Sequence, residues 1–395
     1  MGSYLANPVT MKNSKQGQGI DFAWGSSTMQ GIRTTMFDFV LNEPHLEHLR
    51  TFSLFLVFDG HGRQDCSFNA AKQLAKYLIH QELIKELTDD TNYNPESIKE
   101  LIKRTIIKYD TELERIVEKD VRSGSTISGV LITPSHFFIL NLGNSKTILC
   151  RDKKIAFETT DHITGNPEER NRIYNAGGMI SSTYVNGHIN ITRSLGNYDM
   201  KKSLDLPPNQ QIISAEPDVT IMERKRNQDD FIVILTDGIT KRMTNQEIVD
   251  YIIKRYPFKQ SEKEMCEETM EYNLRKGAKD NMAITLVKFD NSTLQKQEEK
   301  LENELKLNEK ILLATRLHFQ NITENELYKT MSISLKEIEE ENQELFSEEV
   351  TQGFGFELKK PIIMNEIQKL KEEHHNKVRA KWLEKEREAE QSKSQ

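Results

Sequence analysis

The sequence predicts an α+β domain followed by a charged helical extension, on three observations. Apolar runs of strand length at residues 55–58 and 231–235 lead into Asp-Gly pairs. Segments with apolar residues at helical spacing stand between such runs. After residue 290 the composition shifts to Glu, Lys, Gln and Asn. We therefore divide the chain into an N-terminal arm (1–20), a main domain (21–290) and an extension (291–395).

The elements follow in chain order. Loose alternation of polar and apolar side chains predicts a first strand, and helical spacing of apolar residues predicts amphipathic helices between groups of strands. Turn residues separate the shorter strands. The predicted strands cover 21–32, 55–58, 125–132, 136–142, 147–150, 231–235 and 282–289; the predicted helices cover 66–87, a segment around 98–106, a short helix ending at 176, 247–256 and 261–276.

Three aspartates stand at strand ends. Asp59 and Asp237 follow apolar strands, and Asp280 precedes the strand at 282–289. If the sheets bring them together, their oxygens would suit a hard divalent cation such as Mg²⁺ or Mn²⁺. For any one of them alone, Asp-Gly after a strand is equally well explained as turn chemistry.

Further motifs accompany these acids in a specific order. They are STMQGIR (27–33), SGST (123–126), LGNS (142–145) and TRSLGN (192–197). As a set they resemble the metal-dependent protein phosphatases of the 2C type, the PPM family, from residue 1 to about 290. The resemblance implies a four-layer sandwich of two central antiparallel β-sheets flanked by helices. It also implies removal of phosphate from phosphoserine and phosphothreonine with Mg²⁺ or Mn²⁺.

The resemblance assigns roles residue by residue. Arg33 would grip substrate phosphate, because its planar guanidinium matches two phosphate oxygens, although a surface salt bridge is the simpler explanation for one arginine. His61 would be the general acid, unless it is only a turn histidine. The full set comprises the catalytic candidates Arg33, His61 and Asp38 and the metal candidates Asp59, the Gly60 carbonyl, Asp237 and Asp280.

The sequence departs from the family pattern at four acidic positions, which here are Phe37, Asn144, Asn197 and Lys241. A phenyl ring offers no lone pair to a metal, and an ammonium repels a cation unless it points away. We therefore expect one ion at Asp59, Asp237 and Asp280, with the second weak or absent. Because paired metals generate the nucleophile together, this loss threatens the chemistry itself.

Two functional hypotheses follow. The leading one is a pseudophosphatase or weakly active scaffold that binds partners through its surface and its C-terminal helices. The alternative is an active Mg²⁺- or Mn²⁺-dependent serine/threonine phosphatase that acts on phosphoserine or phosphothreonine proteins, since Arg33, His61 and the three aspartates remain.

The extension predicts three helices, over 294–319, from 323 and from 361. The last one carries an apolar stripe flanked by dense charge, which favours docking to a partner protein. A solvated charged helix is the alternative. The stripe consists of Ile363, Ile367, Leu370, Val378 and Trp382.

Charge and composition limit the remaining choices. The net charge of -7 argues against general binding of nucleic acid or anionic membrane. The three cysteines lack pairing or zinc-ligand spacing, and no apolar run reaches membrane-helix length. Gly2 opens a myristoylation motif, but Ala6 stands where Ser or Thr is needed. We expect a cytoplasmic protein or a component of a large intracellular assembly such as the cytoskeleton.

Overall fold

The computed structural model describes residues 4–47, 49–88, 93–117, 122–294, 296–320, 331–347 and 355–393. The chain forms two compact units, Met1–Lys296 and Gln297–Gln395. The boundary expected from composition lies a few residues before this division. Gly2 lies outside the described residues, so its acylation stays a prediction.

The strands of the first unit form two large antiparallel sheets and one small two-stranded sheet. In chain order they are β1 (Tyr4–Gln18), β2 (Phe22–Arg33), β3 (Asp38–Glu43), β4 (Ser53–His61), β5 (Gly124–Ser125), β6 (Ile127–Ile132), β7 (His136–Leu142), β8 (Lys146–Arg151), β9 (Lys154–Glu158), β10 (Ile180–Ser181), β11 (Tyr184–Val185), β12 (Leu195–Gly196), β13 (Asp218–Glu223), β14 (Asp229–Leu235) and β15 (Met282–Phe289). One sheet has the order β1-β2-β15-β14-β8-β9. The other has the order β12-β5-β4-β6-β7-β13, with β3 paired to β4. Strands β10 and β11 form the two-stranded sheet.

Helices accompany both sheets. They are α1 (Asp65–Leu78), α2 (Gln81–Thr88), α3 (Pro95–Leu113), α4 (Pro167–Asn175), α5 (Asp237–Thr240), α6 (Asn245–Arg255) and α7 (Glu262–Arg275). Helices α1 and α3 pack with the β4 sheet, and α7 packs with β2 and β15. The α+β sandwich implied by the resemblance is confirmed.

Strand β4 is apolar from Leu54 to Phe58 because both of its faces are buried there. Phe55 and Val57 join the core between the sheets, whereas Leu56 and Phe58 join the core under α1 and α3. Successive side chains of a strand point to opposite faces, so a strand in the middle of a layered fold reads as a continuous apolar run.

Two expectations for this unit were wrong. The segment taken as an arm is the strand β1, which pairs with β2 along most of its length. The helix predicted over 66–87 is two helices, because Ile79 leaves the helical conformation at φ -86°, ψ 56°. Helical spacing of apolar residues continues across that break, so the pattern alone did not reveal it.

The second unit contains α8 (Glu298–Gln320), α9 (Met331–Glu341) and α10 (Gly355–Lys393). Its buried cluster includes Ile311, Ile338, Phe356, Ile363 and Ile367. Helix α10 therefore begins before Pro361, where we had predicted its start, and contains this proline. Phe356 and Ile363 lie on either side of Pro361 and pack in the same buried cluster. This packing compensates for the backbone hydrogen bond that the proline removes.

The stripe predicted on α10 is partly buried by the unit itself. Ile363 and Ile367 are fully buried, and Leu370 packs against the same cluster. They are therefore not the free surface that we expected for a partner. The side chains of Val378 and Trp382, and the predicted helix start at Thr323, lie outside the described residues. Docking by α10 stays a prediction.

None of the described helices is long and apolar enough to cross a membrane.

Candidate active site

A cleft of about 590 Å³ opens at one edge of the first unit. Arg33 ends β2, Asp237 follows β14 and Asp280 precedes β15. Because these neighbouring strands are antiparallel, the end of β2, the end of β14 and the start of β15 meet at the same edge. Asp59 reaches the cleft from β4 of the other sheet. Asp59, Asp237 and Asp280 therefore line one cleft, and their role as metal ligands stays a prediction.

Lys241 points into the cleft and bridges two of the acids. Its Nζ atom lies 2.7 Å from Asp237 Oδ1 and 3.0 Å from Asp280 Oδ2. Partial burial acts to lower the pKa of Lys241, but the two carboxylates outweigh it and raise that pKa above its ordinary value. The side chain is therefore an ammonium ion at neutral pH.

Arg33 forms a bidentate ion pair with Asp280. Its Nε and Nη2 atoms donate to the two carboxylate oxygens at 2.8 and 2.9 Å, which is the bidentate geometry of a strong ion pair. Burial acts to raise the pKa of Asp280, but the hydrogen bonds and charges of Arg33 and Lys241 lower it. The guanidinium also lies over the ring of Tyr4, 5.4 Å from its centroid.

Asn144 completes the contacts of Asp237. Its Nδ2 atom donates to Asp237 Oδ2 at 2.8 Å. Asn144 lies in the turn after β7, where Gly143 adopts φ 110° and a side chain would collide with Thr126. Both oxygens of Asp237 are therefore engaged by protein donors.

Asp59 and Asp38 are neighbours across β3 and β4. Burial, followed by the negative charge of Asp237, raises the pKa of Asp59 well above its ordinary value. Burial also raises the pKa of Asp38, against the hydrogen bond that Thr236 Oγ1 donates to it at 2.7 Å. Asp38 is buried and does not line the cleft, so it lies behind the site where we had expected a catalytic side chain.

His61 lines the cleft and contacts Asn197. The Nε2 atom of His61 lies 2.7 Å from Asn197 Oδ1, which also accepts a hydrogen bond from Ser194 Oγ. Burial lowers the pKa of His61, although Asn197 opposes this shift. Gly124 permits the contact, because a Cβ atom there would collide with both side chains. The imidazole is thus held by an amide.

Phe37 presents a ring at the position where the family resemblance placed an acid. Its backbone N–H donates to Asn281 Oδ1 at 2.8 Å, and its carbonyl accepts from the Gly60 N–H at 3.2 Å. Asn281 also donates to the Gln30 and Thr35 carbonyls. Asn281 thus fixes the loop after β2, a role that its place beside Asp280 could have suggested.

The donor set does not fit a resident metal ion in this arrangement. Among the described residues no group of three His, Cys, Asp or Glu side chains is arranged to hold one. Lys241 occupies the space between Asp237 and Asp280, and no protein donor contacts the Asp59 carboxylate within the described ranges. The ion expected at Asp59, Gly60, Asp237 and Asp280 therefore stays a prediction that requires Lys241 to move.

Among the lining residues that were not predicted from the sequence, Arg122 and His188 carry basic side chains. Arg122 lies before the SGST motif, 3.2 Å from Asp199, and His188 lies in the loop after β11. Neither belongs to a motif that carries recognisable chemistry. Only the path of the chain around the cleft brings them there, so no local signal was available.

Comparison with known proteins identifies the family. Residues 22–282 match the family model described as Protein phosphatase 2C. The chain is 36% identical over 305 residues to "Protein phosphatase 1A" of Bos taurus, with 74% of this chain and 77% of that protein covered. It is 34% identical over 300 residues to "Protein phosphatase ppm-1.A" of Caenorhabditis elegans, with 73% and 64% covered.

Solved structures show the same fold. A serine-threonine phosphatase 2C from Toxoplasma gondii superposes with a TM-score of 0.60 at 18% identity, covering 73% of this chain and all (100%) of that one. A sex-determining protein of C. elegans gives the same score at 20% identity, covering 73% and 68%. At 18–20% sequence identity these structures show only that the fold is shared. The sequence matches at 34–36% identity show that the chain is related to these phosphatases. The chain belongs to the protein phosphatase 2C family.

Proposed function

We propose that this protein is a pseudophosphatase of the 2C fold, in which Lys241 stands in for a metal ion. The observation that carries the proposal is the bridge from the Lys241 ammonium to Asp237 and Asp280, at 2.7 and 3.0 Å. The Lys241 ammonium neutralises the two carboxylates that would otherwise bind a metal ion.

An ammonium cannot supply the chemistry of a bound metal. A metal ion binds water directly and lowers its pKa towards neutrality, which provides a hydroxide nucleophile. An ammonium only donates hydrogen bonds, so it balances charge without activating water. Phe37 adds no oxygen ligand, and Asn144, whose Nδ2 donates to Asp237, adds no negative charge. The residues of the cleft can therefore neutralise one another's charges, but they do not supply an activated water for hydrolysis.

The role that remains is binding. We propose that the protein acts as a scaffold, with the far half of α10 as one docking element. Helix α10 contains 39 residues, about 58 Å at 1.5 Å per residue. The part of α10 up to Leu370 packs in the core of the extension. Val378 and Trp382 belong to the part that follows.

The second candidate is an active Mg²⁺- or Mn²⁺-dependent serine/threonine phosphatase. Two observations favour it. The relatives are named protein phosphatases. The Lys241 side chain is 50% exposed, so it has room to leave the carboxylates when a metal competes for them.

One experiment separates the two candidates. Purified full-length protein is incubated with a phosphothreonine peptide across a titration of Mn²⁺ and Mg²⁺, with Asp59→Asn as the blank. Under the proposal, the natural protein releases phosphate no faster than the blank at any metal concentration. A metal-dependent rate above the blank, abolished by Asp59→Asn, would establish the active phosphatase instead. Circular dichroism of both proteins checks that each is folded.

A further inference from the structure

A second groove, of about 370 Å³, lies among α1, α2 and α3 and shares no lining residue with the active-site cleft. On α3, Leu101 and Thr105 are one helical turn apart, as are Arg104 and Lys108. The first pair faces the protein and the second faces solvent. The groove therefore has an apolar floor and a basic rim.

The Thr105 hydroxyl in the floor of the groove already has a hydrogen-bond partner. Leu101 is buried, and the hydroxyl of Thr105 donates to the Leu101 carbonyl at 2.8 Å. Tyr77 of α1 is half-buried and packs edge-on against Tyr109, with ring centroids 4.8 Å apart. Such a surface is suited to an aliphatic or aromatic side chain from a ligand.

The rim carries more positive than negative charge. Lys76, Arg104 and Lys108 surround the floor together with His80, and the one acid among the lining residues is Glu82. Glu82 lies 3.7 Å from Arg104, but both side chains are more than 60% exposed, so this pair is weak. Across the described ranges, Lys76 and Lys108 have no ion-pair partner. This basic rim belongs to a chain of net charge -7.

We propose that this groove binds an acidic peptide segment of a partner protein. One large apolar side chain of the segment would lie on Leu101 and Tyr77, and flanking carboxylates would pair with Lys76, Arg104 and Lys108. Complementary charge of this kind gives orientation and specificity at interfaces. The apolar floor favours a peptide over nucleic acid, whose backbone offers no aliphatic anchor, and the net charge of the whole chain repels long polyanions.

Fluorescence anisotropy with the full-length protein tests the proposal. The probe is a short labelled peptide of Glu and Asp around a central Leu-Phe pair. We expect the double variant Arg104→Glu/Lys108→Glu to weaken binding at least about tenfold. The matched control is Lys306→Glu/Lys310→Glu, an exposed basic pair at the same spacing on α8, and it should leave the affinity within about twofold.

A third variant and two alternative probes complete the test. Lys76→Glu, on α1, repeats the charge test on a second helix if the double variant does not fold. Unchanged binding in the folded groove variants would overturn the proposal. Equal binding of an analogue with Gln and Asn in place of the acids, or of single-stranded DNA of equal charge, would also overturn it. None of these readouts depends on hydrolysis, so the proposal stands or falls separately from the pseudophosphatase assignment.

Discussion

Lys241 Nζ lies 2.7 Å from Oδ1 of Asp237, four residues earlier in the chain. Asp237 begins the short helix α5, and the Lys241 N–H donates to the Asp237 carbonyl at 2.9 Å. Residues four apart on a helical turn face each other. A basic residue at position 241 is thus placed at the carboxylate by the local backbone, and Asp280, two residues before the neighbouring strand β15, then pairs with it.

The first prediction concerns this ammonium. Lys241→Asp removes a positive charge from between two carboxylates and adds an oxygen ligand, so we expect the affinity for Mn²⁺ to rise at least about tenfold. Isothermal titration calorimetry on the natural protein and the variant measures the change.

The control for this prediction is Lys276→Asp. Lys276 forms a 3.0 Å ion pair with Glu247 and does not line the cleft. This substitution makes the same change in net charge, and we expect it to leave Mn²⁺ affinity unaltered. Equal gains in both variants would mean that net charge alone sets the affinity, and the assigned role of Lys241 would be wrong.

The second prediction concerns pH. Burial raises the pKa of Asp38, so between the unfolded value near 4 and the raised folded value the native state binds more protons than the unfolded state. The free energy of unfolding therefore falls as pH rises through this window, by up to about 1.4 kcal/mol per pH unit for one proton. Asp38→Asn, which keeps an acceptor for Thr236, should remove this contribution.

Urea unfolding from pH 5 to 7.5 checks the sign. The stability advantage of Asp38→Asn over the natural protein should grow with pH. The surface variant Asp205→Asn should run parallel to the natural protein, because Asp205 is exposed. A constant difference between Asp38→Asn and the natural protein would show that Asp38 is ionised in the fold throughout this range.

The strands and the place of the site could be predicted from the sequence more accurately than the contacts between individual side chains. Strands β7 and β15 were predicted to the residue, because buried apolar runs end sharply at turn residues. The meeting of Asp237 and Asp280 followed from strand ends. The direction of Lys241 did not, because the sequence analysis did not predict the short helix α5, which sets Lys241 one turn after Asp237. Periodicity likewise revealed an apolar face at Ile363 without indicating that the extension itself would cover it.

The third prediction concerns the buried Glu169 of α4. Its carboxylate pairs with Arg172 and Arg193 at 2.7 Å each, and these charges, acting against burial, lower its pKa to about 2. Glu169→Gln leaves the partly buried Arg172 guanidinium without this counter-charge and leaves Arg193 with only Asp218, 2.9 Å away, so we expect a loss of about 3 kcal/mol of stability at pH 7. Urea unfolding measures this loss.

The neighbouring variant Glu168→Gln is the control. Glu168 is exposed on the same helix, and its substitution should change stability by less than about 0.5 kcal/mol. Because the pKa of folded Glu169 is lowered, its contribution is present above the unfolded value near 4.3 and disappears as pH falls towards 2. If the Gln variant loses no stability at neutral pH, the network around Glu169 does not hold α4.

The fourth prediction separates core from docking surface in the extension. Ile363 is fully buried in the cluster with Ile311 and Ile338, so Ile363→Ala should remove about 2–4 kcal/mol from the stability of this unit. Hydrogen exchange measured by mass spectrometry on the full chain resolves the effect, because amides of α8 and α10 should lose protection while β4 keeps its own.

Leu313→Ala supplies the comparison, since Leu313 is 57% exposed on α8 and its truncation opens no cavity. Protection in α8 and α10 should then stay as it is in the natural protein. If instead Ile363→Ala leaves exchange unchanged, Ile363 is not part of a packed core. The whole stripe from Ile363 to Trp382 would then be free for a partner, as its sequence pattern first indicated.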